Sequence, residues 1–270
     1  MKPLIIGLNR FNTLIIIVCL VLIEFCSLTA QTKQESDTLS LTSGLGGPSS
    51  VPGIIRRDEL VTTTIMKDYF DFKDRLSTSS GYTFGFDYTT ALQTGISGNK
   101  NETAFSGIFR AFGGWALVGL ESGNTGALIY QIYNGHRLVT DITPQLLGLE
   151  LGYAGITATP FGVQEWALTN FYWSQTLLNG RLEFVAGLVD PGDYLNVYAL
   201  IDPWTDFNDL TFSTGATIPL PAQGLGAAVY GLLSEKIYVL AGITDANGDP
   251  TDPLGIFKSF FSTAEYFSHI

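Results

Sequence analysis

The sequence predicts an all-β protein whose antiparallel strands form a barrel in a membrane, preceded by a short helix. Of the 270 residues, 46% are hydrophobic and only 14% are charged, whereas roughly 25% are charged in an average soluble domain. The mean hydropathy is +0.24. About ten segments alternate apolar and polar residues with the period of two that is typical of strands. Many span about 8 to 12 residues, and transmembrane strands need roughly 9 to 11.

Composition and charge exclude several other classes of protein. The chain has 30 glycines and 13% aromatic residues, which argues against a coiled coil and against a disordered protein. Its 14 basic and 25 acidic residues give a net charge of −11. A nucleic-acid-binding protein needs a basic surface to neutralise phosphates, so we expect no nucleic-acid partner.

The first thirty residues predict a cleaved signal peptide. Lys2 and Arg10 are basic, and an uninterrupted apolar run follows at residues 14–23. A transmembrane helix needs roughly 18 apolar residues, so a secretory signal at 1–30, cleaved after Ala30, fits this run better. Both cysteines lie inside this signal, so the mature chain is expected to have no disulfide. Without the signal, the mature chain has 12 basic and 24 acidic residues, which give a net charge of −12.

Two segments separate the signal from the predicted strands. Residues 31–56 are polar and rich in Ser, Thr, Gly and Pro, which predicts a linker. Residues 57–80 have apolar side chains at helical spacing, among them Tyr69 and Phe72. We expect this helix to cover the start of the sheet, with a membrane-surface or partner-binding helix as the alternative. The remaining 190 residues, 81–270, form the predicted barrel segment.

The strand predictions rest on alternation and on turn residues. In residues 82–89 the four even-numbered side chains are aromatic and the odd-numbered ones are small or polar. Asn179-Gly180 between two strand-like runs is the strongest hairpin signal in the chain. The predicted strands are 82–89, 105–117, 128–138, 149–158, 166–175, 181–189, 211–218, 225–233, 236–243 and 256–266.

The two faces of these strands differ in a way that is unusual for a soluble core. Arg110 alternates with Ser106 and Gly114 on the face opposite Phe109 and Trp115. An apolar outside and a polar inside favour a barrel in lipid. A secreted soluble barrel or sandwich remains open as an alternative at this point.

Many segments of the chain resemble the carbohydrate-selective porins (OprB type) of Gram-negative outer membranes. The similarity extends from about Gly81 to the end of the sequence, and the joint presence of the segments makes it specific. The segments are SGIFR at 106–110, ESGNTG at 121–126, HR at 136–137, LGYAG at 151–155, NFYWSQ at 170–175, AGLVD at 186–190, DY at 193–194, residues 208–219, GLG at 224–226 and GITDANGDP at 242–250.

This resemblance implies a porin that lets mono- or oligosaccharides diffuse passively through the outer membrane. It implies a sixteen-stranded barrel in the full-length family, with sugars and outer-membrane lipid as partners and a homotrimer as one assembly to test. Sixteen strands need upwards of roughly 240 residues, and residues 81–270 supply 190. We therefore expect an incomplete strand set: a fragment, a truncated gene product or a smaller closed barrel.

A sugar channel needs charged groups that bind hydroxyls and aromatic faces that contact C–H groups. The candidate pore-lining residues are Arg110, Arg137, Glu150, Glu183, Asp87 and Asp190, with Tyr133 and Trp173 as stacking surfaces. For Arg110 the alternative is a structural ion pair inside the barrel. For the aromatic residues the alternative is a lipid-facing or interfacial position.

No motif in the sequence predicts an enzyme, a cofactor or a metal site. His136 is the only histidine of the mature chain away from the C-terminus, and no Gly-x-Ser-x-Gly or phosphate-binding motif is present. The loop from Asp245 to Asp249 resembles the start of a calcium loop, but Ile256 stands where the last ligand would be. We expect Asx turns in this loop. Two other functions remain open: a secreted soluble β-sandwich that binds carbohydrate, and a nonfunctional truncated porin.

Overall fold

The computed structural model describes residues 66–96, 102–119, 124–162, 165–195, 209–213, 220–234 and 237–270. The predicted signal peptide, the linker and positions 57–65 of the predicted helix lie outside these residues. Among the described residues, no helix is both long enough and apolar enough to cross a membrane.

Eight antiparallel strands form one sheet, and their spatial order is their order in the sequence. Within the described residues, β1 pairs only with β2, and β8 pairs only with β7. The strands are β1 (Tyr82–Thr94), β2 (Thr103–Val118), β3 (Gly126–Arg137), β4 (Trp166–Leu177), β5 (Leu182–Val189), β6 (Gly224–Ser234), β7 (Ile237–Asp245) and β8 (Tyr266–His269).

Helix α1 (Lys67–Ser80) precedes the sheet and packs against the start of β1. It ends because Gly81 adopts a left-handed conformation, with φ of 70°, and its N–H binds the Ser77 carbonyl. The rings of Tyr69 and Phe72 meet the Phe84 ring edge-on, with centroids 6.4 and 6.5 Å apart. The described part of the predicted helix therefore covers the start of the sheet.

The register gives the sheet two faces of different composition. We call the face that carries Arg110 the inner face and the face that carries Phe109 the outer face. Asp87, Arg110, Tyr133 and Ala167 are paired across β1 to β4 and share the inner face. Large apolar side chains of the outer face are exposed, including Phe86 at 59% and Phe171 at 48%.

The connections between strands are long at one end of the sheet and short at the other. This alternation agrees with the prediction of tight turns and longer polar loops. The long connections are residues 95–102, 138–165, 190–223 and 246–265, and the short ones are 119–125, 178–181 and 235–236.

The predicted hairpin at Asn179-Gly180 is confirmed. Leu177 of β4 pairs with Leu182 of β5 across a four-residue turn. Leu178, Asn179 and Gly180 all have positive φ, at 54°, 55° and 84°. Asn and Gly adopt this conformation at low cost, so they fix the turn.

Two predicted strands and the described part of a third are wrong. Residues 149–158 contain the end of α2 (Pro144–Glu150) and an irregular segment, because Pro144 favours the first turn of a helix and Gly152, with φ of 85°, follows its end. The described part of 211–218 belongs to the short helix α4 (Leu210–Ser213). Residues 256–266 mainly form α5 (Gly255–Lys258) and a π-helical turn (Ser259–Thr263), since their apolar residues lie at helical spacing.

Two of the long connections fold back over the inner face and bury its apolar side chains. Ala158 and Phe161 from the β3–β4 connection pack on Ile108, Tyr133 and Ala167. The β5–β6 connection begins with α3 (Gly192–Leu195), which places Tyr194 in a second buried cluster on the inner face. That cluster comprises Ala116, Ala127, Ile129, Tyr172, Val185, Val189, Tyr194 and Ala228. The expectation of a polar inner face is therefore only partly right, because these connections supply an apolar covering.

Candidate functional site

The best-defined polar feature of the inner face is an ion pair between β1 and β2. The Arg110 guanidinium donates from Nε to Asp87 Oδ1 at 2.8 Å and from Nη2 to Asp87 Oδ2 at 2.6 Å. The two residues are direct cross-strand neighbours, so the register alone brings them together. The Arg110 side chain is only 5% exposed and that of Asp87 is 26% exposed. The pair is therefore accessible mainly from the Asp87 side.

Tyr133 of β3 lies next to Arg110 on the inner face, but the β3–β4 connection buries it. It pairs with Arg110 in the register, is 6% exposed, and donates its hydroxyl to the Pro160 carbonyl at 2.7 Å. Its ring packs on Phe161 and Ala158, so its faces are occupied by protein. Tyr133 therefore lies on the inner face without offering a free stacking surface.

Glu183 and Asp190 lie on and beyond β5. Glu183 is 5% exposed and is paired with Thr176 and Tyr230 on the inner face. Asp190 directly follows β5 and accepts hydrogen bonds from Gln223 Nε2 at 2.5 Å and from the Gly192 N–H at 2.7 Å. Burial raises the pKa of the Asp190 carboxyl above its ordinary value, against the opposing effect of these two donors.

The structure places three of the predicted pore-lining residues on the outer face, at the rim of the sheet and outside the strands, and the outer-face position of Trp173 is the alternative that the sequence left open. Trp173 pairs with Leu128 and Ala186 on the outer face, so it cannot stack on a solute at the inner face. Arg137 is the exposed last residue of β3 and donates to the Asp141 carbonyl at the rim of the sheet. Glu150 belongs to no strand and is the exposed last residue of α2.

The structure also brings together polar residues that the sequence did not single out. Gln131 Nε2 donates to Thr169 Oγ1 at 3.0 Å between β3 and β4. Asn170 Nδ2 donates to Asp193 Oδ2 at 3.0 Å, which ties β4 to α3. Asn170 lies at a β-bulge that admits Thr169 as an extra residue. No local sequence signal marks these contacts, because they join residues far apart in the chain.

The loop that follows β7 is held by its own side chains, as predicted. The N–H of Asn247 binds Asp245 Oδ1 at 3.0 Å, and the N–H of Thr251 binds Asp249 Oδ1 at 2.9 Å. These are Asx turns. The hydrogen bonds from Thr251 lower the pKa of the Asp249 carboxyl. Within the described residues, no group of three or more His, Cys, Asp or Glu side chains is placed to hold a metal ion.

Described parts of two long connections contact each other. The Tyr153 hydroxyl donates to Asp209 Oδ2 at 3.5 Å, and the Leu210 N–H donates to the Ile156 carbonyl at 2.9 Å. The β3–β4 connection is therefore bonded to the β5–β6 connection.

Comparison with solved structures identifies this architecture. The high-pH structure of OprB from Pseudomonas putida is similar to this chain, with a TM-score of 0.51 and 18% sequence identity. The matched region covers 71% of this chain and 47% of the OprB chain. The low-pH structure of the same protein matches 67% of this chain and 50% of its own, with a TM-score of 0.38 and 13% identity. No family model and no curated protein sequence matches the chain. The described sheet has the fold of an OprB-type porin barrel, and the chain spans about half the length of those structures.

Proposed function

We propose that this chain is part of an outer-membrane porin through which carbohydrates diffuse passively. The observation that carries the proposal is the contrast between the two faces of the sheet. Leu92, Trp115 and Val239 are 65%, 45% and 45% exposed on the outer face. Arg110, Asn170 and Glu183 are at most 5% exposed on the inner face. A sheet of this kind places its apolar side chains against lipid and its charges around the path of the solute.

The two ends of the sheet support an orientation in the membrane. Transmembrane barrels have short turns on the periplasmic side and long loops outside the cell. The short connections and α1 lie at one end of this sheet, and the long connections lie at the other. We therefore place α1 on the periplasmic side and the connections that cover the inner face on the outer side.

Closure of the barrel requires further strands. A sheet edge in the hydrocarbon core would leave backbone N–H and C=O groups unpaired, at a cost of several kcal/mol each. Both β1 and β8 have such an edge among the described residues. We propose that the rest of a porin barrel, which accounts for about half of the matched structure's length, pairs with both edges.

The chemistry of the covered inner face fits slow, selective passage of a neutral, hydroxyl-rich solute. Asp87, whose side chain is 26% exposed, can accept hydrogen bonds from sugar hydroxyls. Such contacts are few and weak enough to allow release, which diffusion through a channel requires. Binding and release are the only chemistry in this proposal, and it contains no catalytic step.

Liposome swelling tests the proposal on the full-length protein refolded in detergent. We expect glucose and maltose to enter protein-containing vesicles and to make them swell, while vesicles without protein stay unchanged. The folded protein should migrate faster than the heated protein on a denaturing gel. A protein that stays monodisperse in buffer without detergent, and that leaves the vesicles impermeable, would contradict the proposal and favour a soluble carbohydrate-binding protein.

A further inference from the structure

The two inward-folded connections present a surface that faces away from the sheet. In the β3–β4 connection, Leu147, Ala158 and Phe161 are buried towards the sheet. Tyr153 and Ile156, from the same connection, are 48% and 37% exposed. A segment that packs on the inner face of a barrel wall exposes its other side to the lumen. These side chains are therefore accessible to a solute, unlike Arg110 and Glu183 of the strands, which are at most 5% exposed.

Tyr153 is held next to a carboxylate at this surface. Its hydroxyl lies 3.5 Å from Asp209 Oδ2, and the backbone bond from Leu210 to Ile156 fixes the two segments beside each other. Phe212, two residues beyond Leu210, is 47% exposed. An aromatic ring and a carboxylate thus lie together where the two connections join.

The surroundings of the Asp209 carboxylate favour its ionised form, which accepts hydrogen bonds. Its Oδ1 atom accepts from the Thr211 hydroxyl and from the Thr211 N–H, the latter at 3.0 Å. These contacts, followed by the one with Tyr153, lower the pKa of Asp209, although slight burial opposes them. Asp209 is therefore ionised at neutral pH, and its Oδ2 atom, which among the described residues contacts only the Tyr153 hydroxyl, can accept from a solute.

We propose that Tyr153 and Asp209 form a sugar-contacting site that determines which solutes the channel favours. The inference rests on the proposed function. The C–H face of a pyranose ring packs on the Tyr153 ring, and its hydroxyls donate to Asp209 Oδ2. The same carboxylate disfavours anionic solutes. The site therefore suits neutral sugars.

Substitutions at these two residues test the site. Tyr153→Ala removes the ring, and Phe171→Ala is its matched control, because Phe171 is equally exposed, at 48%, but lies on the outer face. Tyr153→Phe keeps the ring and loses the contact with Asp209. Asp209→Asn keeps the shape and loses the charge. Heat-modifiable gel migration verifies that each variant folds.

Two measurements on the full-length protein read out sugar binding. One is the maltose concentration that half-blocks the ion current in planar bilayers, and the other is saturation-transfer NMR of maltose in detergent. We expect Tyr153→Ala to raise the half-saturating concentration about tenfold. Asp209→Asn should raise it about fivefold. Tyr153→Phe should raise it less than Tyr153→Ala, and Phe171→Ala should leave it unchanged.

The outcomes separate this inference from the proposed function. If the wild-type protein conducts ions and binds maltose but Tyr153→Ala changes neither, the site is wrong and the porin stands. Wild-type protein that binds no maltose in the NMR measurement also overturns the site. If it conducts no ions while maltose binding still depends on Tyr153, the porin and the role of the site in channel selectivity are wrong, and only the sugar contact of Tyr153 stands.

Discussion

Arg110 and Asp87 occupy opposite positions on neighbouring strands and form a two-point ion pair on the inner face of the sheet, at 2.8 and 2.6 Å. The guanidinium is almost fully buried, and the carboxylate keeps a quarter of its surface exposed. Because the guanidinium is buried, we expect the ion pair to contribute to the stability of the fold.

We expect Arg110→Ala to destabilise the fold by about 3 kcal/mol. Removing one partner of a buried ion pair leaves the other charge uncompensated, and the partial exposure of Asp87 keeps the cost at the lower end of the usual range. Urea unfolding in detergent, followed by circular dichroism, measures the change. The double variant Arg110→Met with Asp87→Leu removes both charges and should lose clearly less. Equal losses in the two variants would mean that the charge pair is not the cause.

Gly187→Ala should also destabilise the sheet by about 3 kcal/mol. Gly187 has φ of 141°, and an added Cβ would lie 2.5 Å from the Phe171 carbonyl oxygen. Gly231 on the neighbouring strand β6 is the matched control, since an added Cβ meets nothing within 4 Å there. Thermal unfolding of both variants tests the prediction. Similar melting temperatures for the two would contradict it.

Tryptophan fluorescence can establish which face of the sheet meets lipid. In a background in which phenylalanine replaces every native tryptophan, we expect Phe171→Trp to be quenched by lipids with brominated acyl chains. Phe171 is 48% exposed on the outer face. Tyr238→Trp is the control, because Tyr238 is 62% exposed but pairs with Leu232 on the inner face. Aqueous iodide should quench it instead, and the reverse pattern would contradict the assignment of the faces.

The Asx turn at Asp249 should make the stability of the protein depend on pH in the acidic range. Hydrogen bonds from Thr251 hold the pKa of Asp249 below the ordinary value of 3.8. A depressed carboxyl pKa contributes stability that is present above pH 3.8 and is lost as the pH falls through the lower folded value. Thr251→Val should therefore raise the Asp249 pKa, as measured by carbon-13 NMR of the carboxyl group. Thr211→Val, which alters the same kind of turn at Asp209, should leave Asp249 unchanged.

Local patterns in the sequence predicted most of the sheet. Alternation placed seven of the eight strands of the described residues, and it placed Arg110 opposite Phe109. Side chains of a strand alternate strictly between two faces, so periodicity is enough to sort them. Pattern alone left the face of Trp173 open, because aromatic side chains occupy both faces at positions 171 to 173, and the bulge at Thr169 shifts the register.

The candidate site depends on contacts that no local pattern contains. Glu150 was predicted on a strand, and it lies on a helix of the connection that covers the inner face. That covering depends on Tyr133 binding Pro160, 27 residues away, and on Tyr153 meeting Asp209, 56 residues away.

The sequence by itself determined the antiparallel meander and the alternation of its side chains between two faces. These follow from composition and from the two-residue period, which are properties of neighbouring residues. Only the tertiary structure decided which connections fold inwards, which charges they bury and which side chains they expose. The reason is that the position of a long connection depends on burying and hydrogen-bonding groups that are far apart in the sequence. A local sequence pattern contains no information about such contacts.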